Sequence, residues 1–154
     1  MKRASIAVFI CVWFLAGGLQ AESDSKIITL AKATLKYMGI DVIDVKIADG
    51  RAKGGERVII ITYMYTLEDE GARLSELVKI LEMGQTLNKM NAKIDVVRAI
   101  AGDRYGKASA IITINASDAT WFIRTKDATG YLKRWNVYLL QSNFLPNTAL
   151  NMGW

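Results

Sequence analysis

Residues Arg57 to Thr66, "RVIIITYMYT", constrain the fold more than any other stretch, because both faces of the strand they would form are apolar. β-Branched and aromatic side chains at consecutive positions favour a strand, and successive residues of a strand point to opposite sides of the sheet. A strand with no polar side belongs inside a sheet, covered by helices on one face and by something else on the other. What supplies the second cover is the question that the rest of the chain poses.

The flanking sequence supplies a hairpin partner and helices. "IDVIDVKIA" (40–48) alternates, with Ile43, Val45 and Ile47 on one face and Val42, Asp44 and Lys46 on the other, which predicts a half-buried strand. The glycine-rich "DGRAKGGE" (49–56) then turns the chain into "RVIIITYMYT". Upstream, Ile28, Ala31, Leu35 and Met38 keep helical spacing, with Ser23 or Ser25 as cap and Gly39 as stop. Downstream, Thr66 with Asp69 resembles a capping box, and Glu68, Asp69 and Glu70 suit a helix N-terminus. The long helix expected there carries Leu74, Leu77, Val78 and Leu81 in one stripe and Ile80, Met83, Leu87 and Met90 in its neighbour, with Gly84 allowing a bend or close packing.

The pattern then restarts. "AKIDVVRAIAG" (92–102), "DRYGK" (103–107) and "ASAIITINA" (108–116) read as strand, turn and strand. "LKYMG" matches "LNKMN", "IDVID" matches "IDVVR" and "IIIT" matches "AIIT", at offsets of 52, 54 and 51 residues. Three weak matches in the same order point to a duplicated helix-strand-strand unit, about 26–65 and 74–115. A helical segment, 117–142, follows, interrupted around Asp127 to Gly130, with Leu132, Trp135 and Leu139 at helical spacing. The tail holds the single proline, Pro146, and brings Phe144 and Leu145 back to the core.

These elements predict an α+β two-layer sandwich: a four-stranded antiparallel sheet under helices, from a duplicated α-β-β unit plus C-terminal helix or helices. Asp44, Lys46 and Arg98 assign the first and third strands to the edges, where charge guards against pairing with another molecule. The strand order expected is 1-2-4-3, with a two-fold axis through the sheet and hairpin tips at opposite ends. Arg51, Lys53 and Arg57 then stay apart from Arg104 and Lys107.

The first 21 residues are set apart from this domain, residues 22–154. Lys2 and Arg3 precede an apolar run from Ala4 to Leu19, 16 residues long and short of the roughly 20 that span a bilayer. The segment reads as a signal peptide, cleaved after Ala21 or Gly18, or else as an uncleaved anchor, and the location expected is exported or membrane-anchored. Cys11, the single cysteine, lies inside it, so a processed chain has no thiol. Without Lys2 and Arg3 the net charge falls from +5 to +3, an ordinary excess that argues against nucleic acid as a partner.

Chemistry is limited by one absence: the chain has no histidine. Ser-His-Asp and Cys-His catalysis and His-ligated metals are excluded, leaving carboxylates, a Ser-Lys pair or tyrosine. Acids at 68–70 fit a helix start better than a cation site, and there is no EF-hand-type loop, so no metal and no cofactor are expected. The 49–56 loop leads into a strand and lacks a Gly-Lys-Ser/Thr ending, so it is not a phosphate loop. Asp41 and Asp95 occupy matching positions of the repeat, as edge-strand starts or as a carboxylate pair.

Aromatic residues are concentrated late in the chain, where Trp121, Phe122, Tyr131, Trp135, Tyr138, Phe144 and Trp154 interleave with Arg124, Lys126, Lys133 and Arg134. Such a set fills a core or binds sugars, membrane headgroups or a protein. Tyr63 and Tyr65 share a strand face with Ile59 and Ile61. Tyr63, Tyr65, Trp121, Tyr131 and Trp135 are therefore the candidate ligand or partner surface. Asn115 begins an N-x-S sequon and equally suits a helix cap. The function expected is a non-catalytic exported domain that binds a protein partner or small ligand, or pairs with itself. A carboxylate-dependent extracytoplasmic hydrolase and a membrane-anchored subunit of an envelope assembly stand beside it, and peripheral membrane contact is a further option.

Overall fold

The computed structural model describes residues 23–65, 69–141 and 144–145, and its fold class is α+β. The expected signal or anchor and the positions Thr66, Glu68, Pro146 and Trp154 lie outside the described residues. No helix among those described is long and apolar enough to cross a membrane.

Helix α1 (Asp24–Tyr37) ends where Gly39 adopts φ 79°, a left-handed conformation that costs glycine little. The Gly39 and Ile40 amides there donate to the carbonyls of Lys36 and Leu35, both at 3.0 Å. Its buried stripe is Ile27, Ala31 and Leu35, one residue round from the spacing through Ile28 and Met38. Strands β1 (Asp41–Asp49) and β2 (Arg57–Met64) form an antiparallel hairpin around a short 3-10 turn, Arg51–Lys53. A bulge between Val42 and Asp44 breaks the alternation. Val42 therefore pairs opposite Tyr63, and Ile43 is left 54% exposed instead of sharing the face of Val45.

Helices α2 (Glu70–Leu81) and α3 (Met83–Asn88) carry the chain from β2 to β3 (Val96–Gly102). Asp69 caps α2 by accepting from the Ala72 amide at 2.6 Å. Strand β3 pairs antiparallel with β4 (Ala108–Asn115), followed by α4 (Ala116–Thr125), α5 (Ala128–Leu132) and β5 (Asn136–Leu139).

The sheet has five strands in the order β1-β2-β3-β4-β5, and β2 and β3 run parallel. This corrects the expected four-stranded antiparallel order 1-2-4-3. A strand that leaves through helices and returns to the same sheet is parallel to its predecessor and usually lies beside it, which seats β3 on β2. Arg98 is thus on the middle strand, not an edge, and its charge points out of the sheet. The hairpin turns still lie at opposite ends, since Gly102 pairs with Met64 and Asp49 with Arg57. The helix-hairpin order repeats, but a two-fold axis normal to this sheet does not exchange the hairpins. The segment 117–142, expected as helical, ends instead in β5, whose Val137 and Leu139 alternate with Tyr138.

The described helices cover one face. Ile59, Ile61 and Tyr63 of β2, with Val97, Ala99, Ala101, Ala110, Ile112 and Ile114, meet Leu35, Leu77, Ile80 and Leu87 in one core. Each fully buried Leu or Ile contributes roughly 1.5–3 kcal/mol. Arg57, 2% exposed, ties the sheet's lower end together: Nη1 donates to the Ala92 carbonyl at 2.8 Å, Nη2 pairs with Asp24, and its amide donates to Asp95 Oδ2 at 2.8 Å.

Candidate functional site

The face of the sheet away from the helices is the feature that the core does not explain. Alternation sends Val58, Ile60, Thr62 and Met64 outward from β2, and register sets Ile60 beside Arg98 and Thr62 beside Ile100 on β3. Ile111 on β4 and Tyr138 on β5 extend the row of Thr62 and Ile100. Ile60, Met64, Ile100 and Ile111 are half-buried, and Tyr138 is 63% exposed. None of these side chains belongs to the core or packs against it. A solvated sheet face ordinarily alternates to polar residues, whereas this one sets Val58, Ile60, Met64, Ile100 and Ile111 around Thr62, Arg98 and Thr113 on its three central strands.

Asp44, Lys46 and Arg98 place charge in this face. Asp44, opposite Thr62 on β1, lies 3.1 Å from Lys46 and 3.7 Å from Lys32, and its carboxyl is held below the usual range chiefly by the Lys46 hydrogen bond. Arg98 Nε donates to Thr113 Oγ1 at 3.3 Å, and no acidic side chain among the described residues pairs with it.

The residues singled out from sequence fall into two groups elsewhere. Tyr63 is wholly buried under α2, with a hydroxyl that has no partner among the described residues. Burial first, then the nearby Glu76 and Tyr65, push its pKa up, against Arg73. Tyr65 bonds Ser109 Oγ through its hydroxyl at 3.0 Å, meets Phe144 edge-on at 5.1 Å and lies under the Arg73 guanidinium at 5.5 Å. Trp121, Tyr131 and Trp135 come together from α4, α5 and the residue before β5. Tyr131 stacks on Phe122 at 4.4 Å and meets Trp135 edge-on at 5.6 Å. Arg134 lies 4.1 Å above Trp121 and pairs with Asp118 at 2.8 Å. Tyr63, Tyr131 and Trp135 are 0–3% exposed, so these three rings build the interior. Asn115 is exposed at the start of α4 and makes no side-chain cap bond.

Ile60, Ile100, Ile111 and Arg98 are the face residues that spacing alone did not single out as a site. Their signal was nonetheless present in the two apolar sides of "RVIIITYMYT". A second apolar feature, a hollow of about 140 Å³ between α1 and α3, is lined by Lys26, Ile27, Leu30, Leu87, Met90 and Ala92. It has room for one benzene-sized group. Among the described residues no cluster of three or more acidic, histidine or cysteine side chains could hold a metal ion. No protein-family model matches the chain, and comparison with curated proteins and with solved structures gave no match.

Proposed function

We infer that this is a non-catalytic, exported interaction domain that pairs with a second copy of itself through the open face of its sheet. The observation that carries the reading is the apolar outward row of Ile60, Met64, Ile100 and Ile111, left uncovered by every described helix. The occupant is argued from size and chain path. Five strands about 4.8 Å apart and some seven residues long present roughly 500 Å² in flat projection, more once side-chain relief is counted. Two such faces together bury about 1,000 Å², the lower bound of a specific interface. Phe144 and Leu145, the described residues of the tail, are buried in the helix-side core, Phe144 against Tyr65.

Sedimentation of the purified protein tests the reading. The expected result is a dimer at micromolar concentration and a folded monomer for Ile60→Lys combined with Ile100→Lys. A wild-type monomer throughout the micromolar range would overturn it, and would point to the chain's own tail or a different protein as the cover.

A further inference from the structure

The open face carries Asp44 and its neighbour Lys46 on β1 and Arg98 on β3, and the positions of Asp44 and Arg98 are related through β2. Asp44 lies opposite Thr62 on one side of β2, and Arg98 lies opposite Ile60 on the other. The midpoint between them therefore falls over β2, between Ile60 and Thr62. A two-fold axis lying in the plane of the interface and passing over that midpoint, across the line joining the two charges, exchanges their positions.

Resting on the self-pairing reading above, we propose that the two copies meet about such an axis, with Arg98 of each seated on Asp44 of the other. An interface between identical copies is isologous: if one residue meets another, the reverse contact is made as well. One charge pair here implies two. From strand spacing and rise, the two charged positions are roughly 12 Å apart and the axis is tilted about 35° from the strands. The two sheets then cross steeply, nearer the ~90° class of sheet packing than the ~30° class. The same operation brings Ile60 and Ile100 close to their own copies and sets Met64 over Ile111 of the second copy, so apolar groups meet apolar groups between the charges. Lys46 of each copy falls near the axis beside Lys46 of the other, at the exposed rim of β1, where the long side chains let the two ammonium groups part into water while each stays on its own Asp44.

Other pairings suit the face less well. With the axis centred on β3, the two Arg98 guanidinium groups would oppose each other in an apolar setting, a costly arrangement. Displacing the axis to β2 turns that repulsion into two attractions and gives Arg98 the carboxylate that it lacks among the described residues of its own chain.

Charge exchange tests the arrangement. In Arg98→Asp, acidic groups face acidic groups at both pairs, and in Asp44→Arg, basic groups face basic groups. Each variant alone should associate at least about tenfold more weakly than wild type. An equimolar mixture restores both pairs. The aspartate introduced at position 98 of one chain meets the arginine introduced at position 44 of the other, and the native Asp44 of the first chain meets the native Arg98 of the second. Sedimentation should therefore show a heterodimer of near wild-type affinity. Both positions are surface-accessible, and unchanged circular dichroism of each variant confirms that it is folded before mixing. A wild-type dimer whose single variants associate normally, or fail to recover on mixing, would overturn this geometry while leaving self-pairing intact. A monomeric wild type would overturn both.

Discussion

Glu76 is the carboxylate that the fold treats least well. It is buried on α2 beside Tyr63, and its Oε2 has no hydrogen-bond partner among the described residues. Burial raises its pKa above the ordinary glutamate value, Lys79 one turn on draws it back down, and Asp41 adds a further push upward. The folded state thus holds this proton more tightly than the unfolded chain does. Stability from this group falls as pH rises out of the ordinary glutamate range, and the penalty is complete above the folded pKa. Glu76→Gln keeps the shape and removes the charge. Urea titration should find the variant more stable than wild type at about pH 8, with the gap closing towards about pH 4. A gap independent of pH would assign the effect to packing instead. Along the chain Glu76 is only one acid among several on the helix. Its burial depends on how α2 lies on the sheet, which the acid's own spacing does not express.

At the scale of elements, the seat of α3 on the sheet depends on Gly84. A Cβ built there would lie 2.4 Å from Val97 Cγ2 and 3.1 Å from Ala116 Cβ, side chains on β3 and at the start of α4. Alanine is favoured over glycine inside a helix by about 1 kcal/mol. Overpacking between elements costs roughly 1–3 kcal/mol, and a β-branched Val97 has little freedom to turn aside, so the clash should win. Gly84→Ala is expected to lower the urea midpoint in the wild-type background and to raise it in a Val97→Ala background, a reversal that a double-mutant cycle measures. Close packing at Gly84 was legible from its place in an apolar stripe. So were both hairpins and α1. Strand order was not, because the outward charge of Arg98 reads the same on an edge as on an exposed central face. The crossover through α2 and α3 was the better guide. Strand β5 escaped because four residues, "NVYL", satisfy helical spacing through Trp135 and Leu139 as readily as alternation through Val137 and Leu139.

For the whole molecule, the proposed pairing would make stability depend on concentration. A domain that buries its outward row only when paired has part of its apolar burial outside its own chain. Unfolding then separates two copies as well as opening each, and mass action enters the midpoint. Each tenfold rise in protein concentration adds about 1.4 kcal/mol per dimer, or about 0.7 kcal/mol per chain. For a domain of this size that corresponds to roughly 2–4 °C in Tm. The wild-type Tm should climb by that increment per decade in scanning calorimetry. With Ile60→Lys and Ile100→Lys together the line should be flat and low, because lysines on an open face stay hydrated while the helix-side core is untouched. The lower limit of the wild-type line, reached by dilution, should then coincide with the variant's Tm. A wild-type Tm independent of concentration would mean that Ile60, Met64, Ile100 and Ile111 contribute nothing beyond the single chain.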